Sequence, residues 1–437
     1  MASKLVKINL LAFAASALIL SSCVQDKCTS TRTYIEYTPV YKSMAEISEM
    51  VEVQGPQKLE TPGKLWLRDQ YLFVNEYGKG IHIYDCSDRQ NPTSINFLNI
   101  PGNVDMAVKN NTLYADQFVD LVVFDISDLT NIHEVNRIPN AFPENFSVHK
   151  QANRWAVDTE KGIAFDWTET VTEVDCDQFN NWDDNVFIRT DGNVAMESTT
   201  DGGNSNNQSS NSQGGSMARF TIMNNHLYTI DNDEMFLYNI ENNIAPVKGE
   251  TVQMPWGIET IFPYYRGEDP YIFIGSTRGM YIYDNSNPAA PFQVGEMSHI
   301  ESCDPVVAKE NHAYVTLRSG NRCGGFTDQL EIADITDLTN PMRTQIHSMT
   351  NPWGLGVDND LLFICDGRDG LKVYDLKDDP SPEKLKLVEH FKKYSTYDVI
   401  PFDGTLYLIA DDGFHLFDYS DRDKIKELGH IAIEIEN

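Results

Sequence analysis

The stretch that decides the fold is Leu121-Val122-Val123-Phe124-Asp125, a run of apolar residues that ends in an aspartate. β-Branched and aromatic residues favour a buried strand, and a closing Asp favours a turn, because its side chain accepts hydrogen bonds from the N–H groups just ahead. The phrase recurs at Gly80–Asp85, Gly162–Asp166, Met235–Asn239, Gly279–Asp284, Leu330–Asp334, Gly370–Asp375 and Gly413–Asp418. The chain is therefore built from one repeated strand and turn.

A second apolar strand precedes each copy of the phrase, as Leu113-Tyr114-Ala115 precedes Leu121. The closing residues stand at 85, 125, 166, 239, 284, 334, 375 and 418, so most intervals are close to forty residues. A period near forty with about four strands per unit is typical of a β-propeller. Eight copies predict an all-β fold, a single propeller of eight four-stranded blades, with seven blades as the alternative.

The cadence of Leu121–Asp128 and of Leu371–Asp375 resembles the LVIVD repeat. That repeat names a family of predicted β-propeller proteins, many of which are envelope lipoproteins. The resemblance extends from about Gly63 to the C-terminus and is weakest at Ala164 and Asn239. It implies the propeller fold and an envelope location, but it implies no particular activity.

The N-terminus has the pattern of an export signal. Lys4 and Lys7 precede an apolar run, residues 8–20, which is shorter than the ~20 residues that a membrane span needs. The run ends in Leu20-Ser21-Ser22-Cys23, which resembles a bacterial lipobox, so Cys23 is the expected lipidation site; the alternative is an ordinary signal peptide with a chance cysteine. We expect a signal peptide over 1–22, a tether and lead-in segment over 23–62, and the propeller over 63–437. The expected location is the outer membrane of a Gram-negative-type envelope, with the periplasmic and surface sides both open.

Charge restricts the partners. The chain has 65 Asp and Glu against 34 Lys and Arg, a formal net charge of −31. Nucleic-acid binding needs a basic surface and is excluded. The remaining partners are the membrane, through the lipid anchor, and a glycan, a peptide or an envelope protein.

Six cysteines besides Cys23 lie in a chain whose expected compartment permits disulfides. Cys303 and Cys323 fall in the same repeat unit and its insertion, so they are the candidate disulfide. Cys86 and Cys365 lie in or beside strands and are expected to be buried free thiols.

One tract interrupts the repeat. Residues 176–215 are rich in Asp, Asn, Ser, Gly and Gln and occupy the long interval between the third and fourth copies. Such a tract offers little apolar surface to offset the entropy of ordering, so it predicts a disordered loop. The same repeat resumes at Ser216, which favours one ring over two domains.

Catalytic motifs are scarce. The sequence has no His-x-x-x-His pair and no Gly-x-Ser-x-Gly elbow, and His82 and His415 fall inside repeat strands, where packing is the expected role. Asp366–Gly370 resembles half of a calcium loop, but its position predicts a hairpin. We expect no cofactor, with calcium a weak candidate. A binding or scaffold lipoprotein is favoured over the alternative, a propeller-type hydrolase or lyase acting on an envelope or extracellular substrate.

The candidate site lies where the innermost strands begin. Counting back 20 residues from the closing residues places two acids and one cation at equivalent positions. The insertion in the sixth unit interrupts this count, and a third acid before Pro305 is the equivalent there; two tryptophans begin their units after a proline. These candidate ligand-binding residues are Arg219, Asp105, Asp304, Asp398, Trp256 and Trp353. We expect a polar cluster at one mouth of the central channel. Its alternative role is structural pairing of Arg219 with an aspartate.

Overall fold

The computed structural model describes residues 31–148, 157–175, 186–188, 201–202, 212–216, 218–299, 305–319, 327–377 and 385–433. The chain divides into two compact units. The larger unit comprises residues 41–149, 158–165 and 195–437, and the smaller comprises 1–40, 150–157 and 166–194.

The larger unit is a β-propeller of seven blades, each with four consecutive antiparallel strands ordered from the channel outward. Blade 1 contains β3 (Pro62–Arg68), β4 (Tyr71–Glu76), β5 (Gly80–Asp85) and β6 (Thr93–Asn99). Blade 2 contains β7 (Met106–Lys109), β8 (Thr112–Gln117), β9 (Asp120–Asp125) and β10 (His133–Ile138). Blade 3 contains β15 (Phe220–Met223), β16 (His226–Asp231), β17 (Glu234–Asn239) and β18 (Val247–Gln253).

The four remaining blades follow without interruption to the C-terminus. Blade 4 contains β19 (Ile258–Arg266), β20 (Asp269–Ser276), β21 (Gly279–Asp284) and β22 (Phe292–Ser298). Blade 5 contains β23 (Val306–Lys309), β24 (His312–Leu317), β25 (Gln329–Asp334) and β26 (Met342–Ser348). Blade 6 contains β27 (Leu355–Asp358), β28 (Leu361–Cys365), β29 (Leu371–Asp375) and β30 (Lys386–Phe391). Blade 7 contains β31 (Thr396–Phe402), β32 (Thr405–Ala410), β33 (Gly413–Asp418) and β34 (Lys426–Ala432).

Neighbouring blades pack face to face through buried side chains. The ring closes where Leu72 and Tyr84 of blade 1 share a core cluster with Phe414 and Leu416 of blade 7. Both of these blades take all four strands from their own repeat, and apolar burial stabilises the closure of the ring.

The eight-blade prediction is wrong, and the seven-blade alternative is confirmed. The third copy of the phrase lies in β11 (Ile163–Asp175), which runs on for 13 residues. β11 pairs with β1 (Thr31–Lys42) in a three-stranded sheet completed by β12 (Val186–Ile188). The Asp166 carboxylate accepts a hydrogen bond from the very next N–H, that of Trp167, at 2.8 Å. It therefore does not reverse the chain, and the strand continues.

In the blades the closing side chain does form the predicted turn. Asp125 Oδ1 accepts the Ser127 N–H, two residues ahead, at 2.8 Å. Asn239 accepts from Glu241 N–H in the same way at 2.9 Å. The same bond recurs at the ends of β5, β21, β25, β29 and β33. These acids and the one amide are turn residues, as their spacing predicts.

The lead-in segment contains one short helix and one short strand. Helix α1 covers Met44–Ser48 and begins with a capping box between Ser43 and Glu46. The chain then forms β2 (Glu52–Gln54), which pairs with β6 at the outer edge of blade 1. β2 thereby supplies backbone partners to the outer edge of β6.

Two short strands lie inside the ring. β14 (Ser212–Ser216) pairs with the channel edge of β3, and β13 (Asp201–Gly202) pairs with β14. β14 also lies close to the innermost strands of blades 2, 4, 6 and 7. Composition predicts a disordered loop over 176–215, whereas the described part of this tract contains β12, β13 and β14. The open edge of β3 supplies backbone partners that offset the ordering entropy of β14.

Two further observations concern the described residues. Cys86 and Cys365 are buried free thiols, as predicted, while Cys23, Cys303 and Cys323 lie outside the described residues. Within the part of the chain that the structure covers, no helix has the length and apolarity to cross a membrane.

Candidate functional site

The seven innermost strands run in the same direction, so their first residues meet at one end of the ring, which we call the upper face. Asp105 and Arg219 directly precede β7 and β15 at this face. Trp256 and Trp353 lie two residues before β19 and β27, and Asp398 is the third residue of β31. The sixth predicted residue, Asp304, lies outside the described residues.

Asp105 meets Arg219 through the backbone. Its Oδ2 accepts the Arg219 N–H at 2.5 Å, and its Oδ1 accepts the Met106 N–H at 2.7 Å. Lys64 Nζ lies 3.9 Å from Oδ2, and both side chains are buried. Burial raises the pKa of Asp105, and the Lys64 ammonium and the backbone donors oppose that rise. Asp105 therefore fixes the chain at the start of blade 3.

A second carboxylate lies directly behind Asp105. Asp116 Oδ1 accepts the N–H groups of Val104 at 2.8 Å and Asp105 at 2.9 Å, and the Asn103 amide at 2.7 Å. Asn75 donates to Asn103 at 2.7 Å, which extends the network into blade 1. Burial raises the pKa of Asp116 to about 7, and the Asp105 charge adds to the effect of burial.

The sequence interpretation missed Lys64 and Asp116. Lys64 is a single cation in the otherwise apolar run Gly63-Lys64-Leu65-Trp66, and Asp116 follows the apolar residues of β8. The available signal was a charged residue inside a strand, at a position where packing favours an apolar residue.

The two predicted tryptophans differ. Trp353 is buried beneath the Arg318 guanidinium, which lies 3.3 Å from its ring centroid, and it meets the Tyr397 ring edge-on at 5.3 Å. Its Nε1 donates to Asn351 Oδ1 at 2.8 Å. Asp398 is fully buried beside it, and a Cβ on Gly354 would lie 2.2 Å from its Oδ1. Trp353 is thus a packing residue between blades 6 and 7.

Trp256 is 60% exposed, and the backbone next to it is fixed. Gly257 adopts φ 90°, and its N–H donates to Asn232 O at 2.8 Å. Its carbonyl accepts the Thr277 N–H at 2.8 Å, and a Cβ at Gly257 would lie 2.2 Å from the Thr277 hydroxyl oxygen. Only glycine fits this position, so the exposed indole stands on a rigid base.

The chain itself crosses the channel at the upper face. The Ser216 hydroxyl accepts the Leu355 N–H at 2.8 Å. The carbonyl of Ala218 accepts the Ile261 N–H at 3.1 Å, and that of Arg219 accepts the Ile230 N–H at 2.8 Å. We call residues 216 and 218–219, where the chain leaves β14 and enters blade 3, the mouth segment. It bonds to blades 2, 3, 4 and 6.

The sequence model of the LVIVD repeat matches residues 103–138, which span blade 2 with Asn103 and Asp116. This chain is a β-propeller that contains an LVIVD repeat. A search of curated proteins gives no match.

Solved structures that are similar to this chain have low identity and TM-scores below 0.5. A protein from Lactobacillus plantarum has 13% identity and a TM-score of 0.48, with coverage of 83% of this chain and 96% of its own. A functionally unknown protein from Desulfotomaculum acetoxidans has 12% identity and a TM-score of 0.48, with coverage of 85% and 95%. Hsv2 from Kluyveromyces lactis has 9% identity and a TM-score of 0.46, with coverage of 86% and 100%.

Proposed function

We propose that this LVIVD-repeat propeller is a binding or scaffold lipoprotein of a Gram-negative-type outer membrane. Cys23 carries the lipid, and the upper face binds a glycan, a peptide or an envelope protein. The lipobox-like Leu20-Ser21-Ser22-Cys23 supports the anchor, and the net charge of −31 supports a partner other than nucleic acid.

Trp256 is the observation that carries the binding proposal. An exposed indole on a rigid base offers a large, flat contact surface that loses little conformational entropy when a ligand covers it. Tryptophan is also among the residues most enriched at binding hot spots. Arg219 precedes the first strand of blade 3 on the same face, and its half-buried side chain offers hydrogen-bond donors there.

The bonds of the mouth segment favour a ligand site on the surface of the upper face over a ligand site inside the channel. The Ser216 hydroxyl and the carbonyls of Ala218 and Arg219 already accept the N–H groups of Leu355, Ile261 and Ile230 at the mouth. A ligand at this face would therefore lie across the mouth, against Trp256, and would not enter the ring.

The test is a binding screen with defined probes. Purified protein without its lipid is applied to an array of bacterial surface glycans and an array of short peptides, and hits are measured by isothermal titration calorimetry. Trp256→Ala should weaken binding about 30-fold or more, as expected for an aromatic hot spot. The matched control is Phe292→Ala, because Phe292 is 55% exposed at the other end of blade 4.

Equal binding by wild type and Trp256→Ala would refute the site. Chemical conversion of a bound glycan or peptide would favour the hydrolase or lyase alternative.

Arg219→Ala separates ligand binding from a structural role. Weaker binding with an unchanged melting temperature would place the guanidinium in the ligand site. A lower melting temperature with unchanged binding would assign it to the support of the buried carboxylates.

A further inference from the structure

We propose that the upper face of blade 7 carries a binding site for a divalent transition-metal ion, formed by Asp412, His415 and His430. One potential ligand atom from each residue lies within 4.8 Å of the other two. The three belong to the hairpin between β32 and β33, to β33 and to β34, so the framework of one blade holds them. His415 is buried, whereas Asp412 and His430 are exposed, which leaves a route for an ion from solvent.

The outer contacts orient His415 as a metal-binding histidine requires. Its Nδ1 lies 2.9 Å from Glu427 Oε1, and the Tyr394 hydroxyl donates to Glu427 Oε2 at 2.7 Å. A proton on Nδ1 that is donated to Glu427 leaves the Nε2 lone pair pointing at the site. This carboxylate–histidine arrangement fixes the tautomer and raises the basicity of a ligating imidazole.

The contact between His415 and Asp412 is favourable only if a cation lies between the two side chains. Nε2 lies 2.8 Å from Asp412 Oδ1. With Nδ1–H committed to Glu427, both atoms at this contact carry lone pairs, and they attract each other only if a proton or a metal ion lies between them. Ligands of a tetrahedral zinc ion stand about 3.3 Å apart, so the exposed Asp412 has to move by only about half an ångström.

Blade 6 shows the same construction with a cation already built in. Lys372 occupies the position of β29 that His415 occupies in β33, and each faces a histidine on the next strand, His390 or His430. The Lys372 ammonium lies 2.7 Å from the hairpin carboxylate Asp369. In blade 6 the Lys372 ammonium therefore fills this place. In blade 7 the same place is lined by the Asp412 carboxylate and the His430 imidazole.

Blade 1 shows what the site is without the second histidine. His82 again occupies the equivalent position, and its Nε2 lies 3.1 Å from Glu76. Its neighbour on the next strand is Phe97, which offers no ligand atom. A histidine–carboxylate pair at this position is therefore compatible with a purely structural role. The proposal rests on the features that blade 7 adds, namely His430 and the Glu427–Tyr394 support.

One ring has to move. The His415 and His430 rings are stacked, with centroids 4.2 Å apart and an interplanar angle of 8°. A metal ion bound to both nitrogens lies near the plane of each ring, which two parallel rings do not allow. His430 is exposed and can turn about its side-chain torsions, so it is the ring that rotates when the ion binds.

The donor set selects the class of ion. Two imidazoles and one carboxylate suit zinc, nickel, copper or cobalt, and they suit calcium or magnesium poorly because those ions prefer oxygen ligands. Three protein ligands leave a position for water, so zinc is the natural probe.

The test is a calorimetric titration of Zn²⁺ into chelator-treated, full-length mature protein, repeated for variants. His430→Ala should abolish the assigned binding step, and because this side chain is exposed the variant should fold normally. Glu427→Gln should weaken the step 10- to 100-fold. His415→Lys installs the side chain found in blade 6 and should remove the step while the melting temperature is retained.

The control is His390→Ala, which removes the matching histidine of blade 6 and should leave zinc binding unchanged. Zinc should also raise the melting temperature of the wild type and of His390→Ala, but not that of His430→Ala or His415→Lys. A zinc step that survives both His430→Ala and His415→Lys overturns the proposal. So does the absence of any zinc step in the wild type, which would leave a proton alone between His415 and Asp412.

Discussion

The buried carboxylate of Asp116 provides the sharpest test of the network behind the upper face. Three donors converge on its Oδ1, namely the Val104 and Asp105 N–H groups and the Asn103 amide. Asp116→Asn retains Oδ1 as the acceptor and replaces the ionisable Oδ2 with an amide NH2 group. The substitution therefore leaves the hydrogen bonds in place and abolishes the cost of a buried charge.

The size of the effect follows from the pKa. Burial raises the pKa of Asp116 from 3.8 to about 7. The folded state therefore binds more protons than the unfolded state between these values, and stability falls as pH rises through this window. At 1.36 kcal/mol per pKa unit the total loss is about 4 kcal/mol, of which roughly 2–3 kcal/mol falls between pH 5 and pH 8.

The assay is urea unfolding of wild type and Asp116→Asn at several pH values from 5 to 8. The free energy of unfolding of the variant should exceed that of the wild type by an increment that grows by about 2–3 kcal/mol across this range. Parallel pH profiles for the two proteins would refute the reasoning, because Asp116 would then ionise as an exposed acid does.

Asp125→Asn is the matched control in the same blade. The Ser127 backbone and side chain lower the pKa of Asp125, which lies in an exposed turn. A lowered pKa contributes stability that is present at neutral pH and is lost as pH falls through the folded-state value. Asp125→Asn should therefore destabilise slightly at pH 8 and least at low pH, a trend of the opposite sign.

Three further predictions address other parts of the chain. Cys23→Ala should move the protein from the membrane fraction to the soluble fraction without changing its melting temperature; unchanged fractionation would exclude the lipid anchor. Cys303 and Cys323 should appear as one linked peptide in non-reducing mass spectrometry, and reduction should cost about 3 kcal/mol; two free thiols would exclude the bond. Gly214→Ala would place a Cβ 2.7 Å from the Trp66 ring, so it should destabilise by about 1–3 kcal/mol and speed proteolysis of residues 203–211. An unchanged proteolysis rate would contradict that packing.

The sequence predicted the repeated elements because their signals are local. Each blade ends its third strand with an Asp or Asn whose side chain bonds the N–H two residues ahead, as at Asp125 and Asn239. The same pattern wrongly predicted a turn at Asp166, because Trp167 and the β-branched residues after it extend the strand. A closing acid alone does not specify a turn; the residues that follow must also leave the strand.

The site was less predictable because its geometry depends on distant contacts. Counting back from the closing residues predicted that Asp105 and Arg219 lie together. The bond between them joins the Asp105 carboxylate to the backbone N–H of Arg219 and does not involve the guanidinium. The burial of Trp353 depends on Arg318, which stacks on it from the preceding blade, and no spacing rule reveals this contact. Strand β14 was not predicted from the sequence, because this Gly- and Ser-rich segment is ordered by the open edge of β3, which lies more than a hundred residues away.

Strand β14 also constrains the order of assembly. It is synthesised after blades 1 and 2, bonds to blade 1, and lies against the innermost strands of blades 6 and 7, which are made last. Because proteins grow from the N-terminus, β14 can occupy the edge of β3 before those blades exist. The later blades would then fold around a strand already in place, so the protein would acquire a filled channel without ever threading a segment through a closed ring.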